Sequence, residues 1–184
     1  MTQARPLDGI CVLEVGQLLA GPFAGSLLAY YGAEVIKVEP PGGGDPLRQW
    51  RILDDHGTSF WWRSLGRNKK CVTADLRSEA GRELVGRLAR KSDVLIENFR
   101  PGVMDRLGLG PDILRGENPT LVYCAISGFG QDDANRDRPA YDQIVQGISG
   151  AAFRIGGICP CAPTCACAMD TQSLLKLFGY EIEH

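Results

Sequence analysis

Seven basic residues, Arg48, Arg51, Arg67, Lys69, Lys70, Arg100 and Arg106, fall in or beside loops that also carry Phe99, Tyr141 and the tryptophans Trp50, Trp61 and Trp62. Guanidinium and ammonium groups recognise phosphate oxygens, and an aromatic ring offers a face on which a nucleobase stacks. Taken singly, each basic residue reads as solvated surface. Together they suit a phosphate-bearing ligand with an aromatic base. Glycine-rich loops at 16–22, 39–45 and 97–102, and a further loop at 127–130, would let backbone approach such a ligand closely. Gly16, Gly21 and Gly25 do not spell G-x-G-x-x-G, so the dinucleotide fingerprint is absent. Glu39 stands at a strand end where a ribose-binding acid could lie, but without those glycines a solvated carboxylate is the simpler reading.

Other chemistries have less to work with. His56 is the one internal histidine, and its Asp-Asp-His-Gly setting reads as a loop. Cys11, Cys71 and Cys124 stand singly in apolar stretches and read as buried, reduced thiols. Cys159, Cys161, Cys165 and Cys167 crowd into nine residues, but their spacing is not the paired C-x-x-C of a structural zinc site and no histidine is near. No metal is expected, and no serine nucleophile elbow is present.

The elements that must hold these residues follow from local pattern. Residues 9–15 form a short apolar run bounded by glycines, as a buried parallel strand does. Gly21-Pro22 opens a helix of small and apolar residues closed by Gly32, and 34–39 alternates apolar and charged residues as a second strand. Residues 47–66 are irregular and tryptophan-rich, and are expected to lie on the surface as an excursion. Strands follow at 70–76, 93–97 and 120–126. Between the first two, Ser78 caps a helix with Leu84, Val85, Leu88 and Ala89 on one face; short helices at 103–107 and 112–115 precede the last. A further helix-like stretch runs from 141 to 149. Strands alternating with helices predict an open parallel α/β sheet with ligands at the carboxyl ends of its strands.

Composition excludes several classes. With 184 residues, 44% hydrophobic and 23% charged, the chain is long enough for a core of its own and is not wholesale disordered. A net charge of −2 provides no field to gather nucleic acid or anionic lipid, so neither is expected as a partner. No 18-residue apolar run or signal segment stands out, and a cytoplasmic location is expected.

Several motifs then occur in order: Leu7-Asp8-Gly9-Ile10, Ala20-Gly21-Pro22-Phe23, Gly32 to Pro40, Asn68-Lys69-Lys70, Glu97-Asn98-Phe99-Arg100-Pro101-Gly102, Leu107-Gly108-Leu109, Ser127-Gly128-Phe129-Gly130 and Arg138-Pro139-Ala140-Tyr141-Asp142. The series resembles the class III CoA-transferases, the carnitine CoA-transferase and formyl-CoA transferase group. The resemblance implies a Rossmann-like open parallel sheet with helices on both faces, of which residues 1–153 supply the N-terminal part of the CoA-binding large domain. Residues 154–184 form an aberrant Cys-rich tail, and the family's small domain and returning C-terminal segment are absent. It also implies coenzyme A or acyl-CoA and a small carboxylic acid as substrates, no permanently bound cofactor, and an interlocked homodimer. Asn98, Phe99, Arg106, Tyr141, Lys69 and Lys70 become CoA-contacting candidates, and Leu19 falls where some relatives place a polar contact.

The family's nucleophile is an aspartate, for which Asp170 is the candidate, 29 residues after Tyr141. Its carboxylate would form a mixed anhydride and then an aspartyl-CoA thioester, with loop N–H groups stabilising the oxyanions. Asp142 is a second acid. Alternatives are a truncated inactive remnant or a CoA-binding fragment and, more distantly, a 2-methylacyl-CoA racemase, whose histidine would fall at Tyr141. A phenol of pKa about 10 is a poor proton carrier at neutral pH.

Overall fold

The computed structural model describes residues 4–140 and residue 145. Residues 1–131 form one compact unit holding every described strand, and Asp132 begins a second. In that second unit the described residues include a turn in which Asp133 accepts the Asn135 N–H at 2.6 Å. Tyr141, Asp142, Asp170 and the whole Cys-rich segment lie outside the described residues, as does the boundary expected at 153/154.

Five strands, β1 (Cys11–Glu14), β2 (Glu34–Glu39), β3 (Lys69–Thr73), β4 (Val94–Glu97) and β5 (Val122–Ala125), form one parallel sheet in the order β3-β2-β1-β4-β5. The chain steps outward from β1 to β3 and then returns to the other side of β1. The strand order therefore reverses between β1 and β4.

Helix α1 (Ala20–Tyr30) starts with Pro22 in its first turn, where a missing N–H is harmless, and stops before Gly32 at φ +109°. Helix α3 (Glu79–Ala89) is capped by Ser78, whose hydroxyl accepts the Gly81 N–H at 3.0 Å. The short helices α4 (Val103–Arg106) and α5 (Pro111–Glu117) follow β4. The excursion after β2 departs from expectation. It contains a 3₁₀ turn (Pro46–Gln49) and a six-residue helix, α2 (Phe60–Leu65), begun by Ser59, which accepts the Trp61 N–H. Its aromatic density conceals a helix too short for a periodic signal.

The period-two alternation of each strand sorts its residues between two faces. One face, with Val12, Val35 and Ile96, packs on Ala29 of α1 and on Ala33. The other, with Leu13, Val38 and Leu95, packs on Val85 and Ala89 of α3, Met104 of α4 and Leu114 of α5. Helices therefore cover both faces, as expected. Full burial of a side chain such as Leu95 contributes roughly 1.5–3 kcal/mol. Cys11 and Cys124 are half-buried, but Cys71 is exposed because β3 is an edge strand, which corrects the expectation of a buried thiol there.

Candidate functional site

In open α/β sheets the crevice at the reversal of strand order receives the ligand. Here it lies where β1 runs into residues 15–19 and β4 into residues 98–102. Asn98 bridges the two loops: its Oδ1 accepts the Gln17 N–H at 2.8 Å and its Nδ2 donates to the Gln17 carbonyl at 2.9 Å. A Cβ at Gly16 would collide with Asn98 Oδ1, so the approach requires glycine there.

Beneath this loop lies a group of buried charges. Lys37 Nζ donates to Glu14 Oε1 at 2.8 Å and to the Gly16 carbonyl at 3.0 Å, and stands 2.7 Å from Asp45 Oδ2. Lys69 Nζ stands 2.7 Å from Glu14 Oε2 and donates to the Pro22 carbonyl at 2.6 Å. The contacts to Asp45 Oδ2 and Glu14 Oε2 are close ion pairs without hydrogen-bond geometry. All four side chains are fully buried. Two cations meet two carboxylates, so the cluster is neutral, which is what makes burying four ions tolerable.

The two lysines respond differently. Burial alone would lower the pKa of Lys37, but the Glu14 and Asp45 carboxylates outweigh it and hold the pKa above the ordinary lysine value. Burial wins at Lys69, whose pKa is lowered despite Glu14, with the positive charge of Lys37 adding to the effect. The other oxygen of Asp45, Oδ1, accepts the N–H of Leu18 at 3.1 Å and of Leu47 at 2.8 Å. Leu18 has φ +62°, a left-handed conformation that costs a side-chain-bearing residue about 1–3 kcal/mol and has to be held by its surroundings.

Glu39 is not the solvated strand-end carboxylate that the sequence suggests. It is buried at the end of β2 and receives Arg48 through Nε at 3.0 Å and Nη2 at 2.9 Å. The Arg48 guanidinium also lies 3.8 Å from the ring centre of Trp62, tying the excursion to the sheet. Both charges are thus engaged with each other, which corrects the surface readings of Glu39 and Arg48.

The structure brings only some candidates together. Asn98 and Phe99 lead out of β4 at the crevice; Phe99 is half-buried against the apolar core, and its N–H donates to Glu97 Oε2 at 2.8 Å. Arg106 ends α4 and is exposed. Lys69 and Lys70 are neighbours on β3 with opposite fates. Lys69 is buried on the α1 side, while Lys70 is exposed beside Glu34 at 2.8 Å. Glu14, Lys37, Asp45 and Gln17 join the site without having stood out in the sequence. The available signal is Glu14, a charge inside the 9–15 run that otherwise reads as buried; Lys37 is one of the charges that alternate along 34–39 and carries no such mark.

Among the described residues no cluster suits a metal ion, and no helix is long and apolar enough to cross a membrane. The model of CoA-transferase family III matches residues 7–167. The chain belongs to that family. It is 50% identical over 146 residues to the succinyl-CoA–D-citramalate CoA-transferase of Chloroflexus aurantiacus, covering 79% of this chain and 36% of that protein. It is 46% identical over 151 residues to the succinate–glutarate CoA-transferase of Agrobacterium fabrum, covering 79% of this chain and 38% of that protein. Among solved structures, a CAIB/BAIF family protein from Brucella suis superposes with a TM-score of 0.75 at 44% identity, covering 80% of this chain and 40% of that one. The chain thus spans well under half the length of the relatives it matches.

Proposed function

We propose that this chain serves CoA transfer, in which coenzyme A moves from an acyl-CoA donor to a carboxylic acid acceptor, with CoA a substrate rather than a resident cofactor. The family match over residues 7–167 carries this reading. The crevice supports it: Asn98 and Phe99 stand at its rim, and Arg106 offers an exposed guanidinium suited to phosphate. Lys70 and Tyr141 complete the proposed CoA-contacting set. Lys69 joins it only through its surroundings, because its ammonium is already held by Glu14 and Pro22. Relatives named for succinyl-CoA or succinate make a short dicarboxylic acyl-CoA the first donor to try.

In this reading a carboxylate oxygen of Asp170 attacks the thioester carbonyl, the C–S bond breaks, and CoA leaves as thiolate. The thiolate attacks the aspartyl carbonyl, releasing the donor acid and leaving an aspartyl-CoA thioester. The acceptor carboxylate, already ionised at neutral pH, then attacks the aspartyl carbonyl and expels CoA thiolate, which takes the acyl group from the new anhydride. Loop N–H groups are the expected oxyanion donors, but those of Gln17 and Leu18 are occupied by Asn98 and Asp45. That role therefore falls to other donors. The same reading has the working protein in the cytoplasm as a homodimer.

Incubation with succinyl-CoA, a hydroxylamine or borohydride quench and mass spectrometry test the mechanism. A hydroxamate or a reduction product at Asp170 is expected. An unmodified Asp170 in folded protein that binds CoA overturns the covalent step and leaves CoA binding alone.

A further inference from the structure

At the amino ends of β1, β2 and β3, the end of the sheet away from the crevice, lies a pocket of about 400 Å³. Its size falls within the roughly 300–1,000 Å³ of small-molecule sites. Each of the three strands is entered through a left-handed residue that lines this pocket: Gly9 at φ +90°, Gly32 at φ +109° and Asn68 at φ +60°. The two glycines bring no side chain to the lining, so a ligand can approach the main chain. At Asn68 the conformation is strained, and strain of this kind gathers at ligand sites.

Two ion pairs line the same pocket. The N–H and Nε of Arg5 donate to the two oxygens of Asp8, at 2.7 and 3.1 Å. A Cβ at Gly32 would come within 2.8 Å of Asp8 Oδ1, so glycine lets this pair sit against the turn after α1. Across the pocket, Lys70 Nζ donates to Glu34 Oε1 at 2.8 Å. All four side chains are exposed, and such pairs add little to stability. Neither pair exhausts its groups. Among the described residues, the two Nη atoms of Arg5, Oε2 of Glu34 and the Asn68 amide have no hydrogen-bond partner. Unspent donors and an unspent acceptor thus share one pocket whose charges cancel.

We propose that this pocket binds a small zwitterion, an α-amino acid with an aliphatic side chain. The carboxylate meets the free edge of the Arg5 guanidinium, whose planar fork matches two oxygens. The ammonium meets Glu34 Oε2, and the side chain lies along Ile10 and Val35, which also line the pocket. A ligand with only a carboxylate leaves Glu34 unanswered, and one with only an ammonium leaves Arg5 unanswered. A zwitterion answers both and adds no net charge to a pocket that has none. The groups are solvated, so affinity on the order of 1 mM is expected. The site rests on residues of this chain alone and does not depend on the acyl-CoA reading of the crevice.

Amide NMR of the 184-residue chain, titrated with leucine, tests the site. The amides of Gly9, Gly32 and Asn68 are expected to shift and saturate, while those of Gln17 and Phe99 at the crevice stay in place. Isocaproate, which has the carboxylate without the ammonium, and isoamylamine, which has the ammonium without the carboxylate, are each expected to bind about tenfold more weakly, as loss of one charge-assisted hydrogen bond implies. Arg5→Ala and Glu34→Gln change exposed side chains and are expected to leave the remaining amide spectrum unaltered. Each should weaken leucine by about the same tenfold factor. Lys70 is left unaltered because it also stands in the proposed CoA-contacting set.

Pocket amides that do not move with leucine overturn the site. Shifts at Gln17 and Phe99 in place of the pocket amides overturn it too, because they put the ligand in the crevice. Isocaproate or isoamylamine binding as well as leucine overturns the zwitterion, and unchanged leucine affinity in either variant overturns the contacts assigned to Arg5 and Glu34.

Discussion

Under α1 the sheet buries Glu14, Lys37, Glu39 and the Lys69 side chain beside the apolar Val12, Val35 and Ile96, whereas under α3, α4 and α5 it buries Leu13, Val15, Val38 and Leu95, with Glu97 the charged exception at its rim. The same five strands thus serve two kinds of interior. The apolar face gains from removal of area from water and needs no particular partner for any one side chain. The charged face tolerates burial only because each ion has an opposite charge within hydrogen-bond distance. It cannot slide or repack without stranding a charge, and it lies beneath the loop that lines the crevice. The difference teaches where this fold holds geometry tightly: at the carboxyl end of β1, where Glu14, Lys37 and Asp45 meet.

The largest test is to remove one charge. Lys37→Met leaves Glu14 without one of its two cations and Asp45 without its ammonium, and a loss of about 3–5 kcal/mol is expected by urea unfolding at neutral pH. Leu95→Ala on the other face should cost about 2–5 kcal/mol through its cavity. The two overlap in size but separate by pH. Leu95→Ala removes no titratable group, so its loss should stay constant with pH. At the alkaline end, Lys37 has its folded pKa above the ordinary 10.5, so its contribution is complete below that pH and is lost as pH rises through the folded value. Lys37→Met should show no such alkaline loss. Equal pH profiles for the two variants would remove the distinction between the faces.

A smaller effect is expected at Glu97, the exception on the apolar face. Burial raises its pKa above the ordinary 4.5, the Phe99 N–H partly offsets this, and the charge of Asp105 adds to the rise. The folded state holds that proton more tightly than the unfolded one, so stability falls as pH rises from 4.5 through the folded value. Glu97→Gln keeps an acceptor for Phe99 and should gain relative to the unaltered chain over that range, seen as a flatter curve of unfolding midpoint against pH. A curve as steep as the parent's would locate the pH dependence elsewhere.

The smallest change belongs to Lys70. Its pair with Glu34 is 72% and 54% exposed, and Lys70→Ala should stay within about 0.5 kcal/mol of the parent in thermal unfolding. A loss comparable to that of Lys37→Met would show that exposure does not separate the two lysines.

Much of the frame is legible in the residues. The glycine-bounded run at 9–15, the alternation at 34–39, the Ser78 cap and the stripe of Leu84, Val85, Leu88 and Ala89 each report a local period, and each forms the expected element within a few residues. Helix α2 escapes such a reading because six residues hold under two turns, too few for a period to show. The fates of the lysines escape it for another reason. Lys69 and Lys70 have the same type and neighbouring positions, and strand alternation says only that they face opposite ways. Which face holds Glu14 depends on how β1, β2 and β3 are aligned.

The sequence by itself determined the order of the strands and of the helices other than α2, the absence of a dinucleotide fingerprint and, through motifs in series, the family. Those depend on residues near one another in the chain, whose spacing fixes periodicity and turn chemistry. Tertiary structure alone decided that Asn98 grips Gln17 across 81 residues, and that Lys37 and Lys69 share Glu14 in the interior. Both pairings require strand order and register, which bring side chains distant in the chain into hydrogen-bonding contact, and no local pattern contains them.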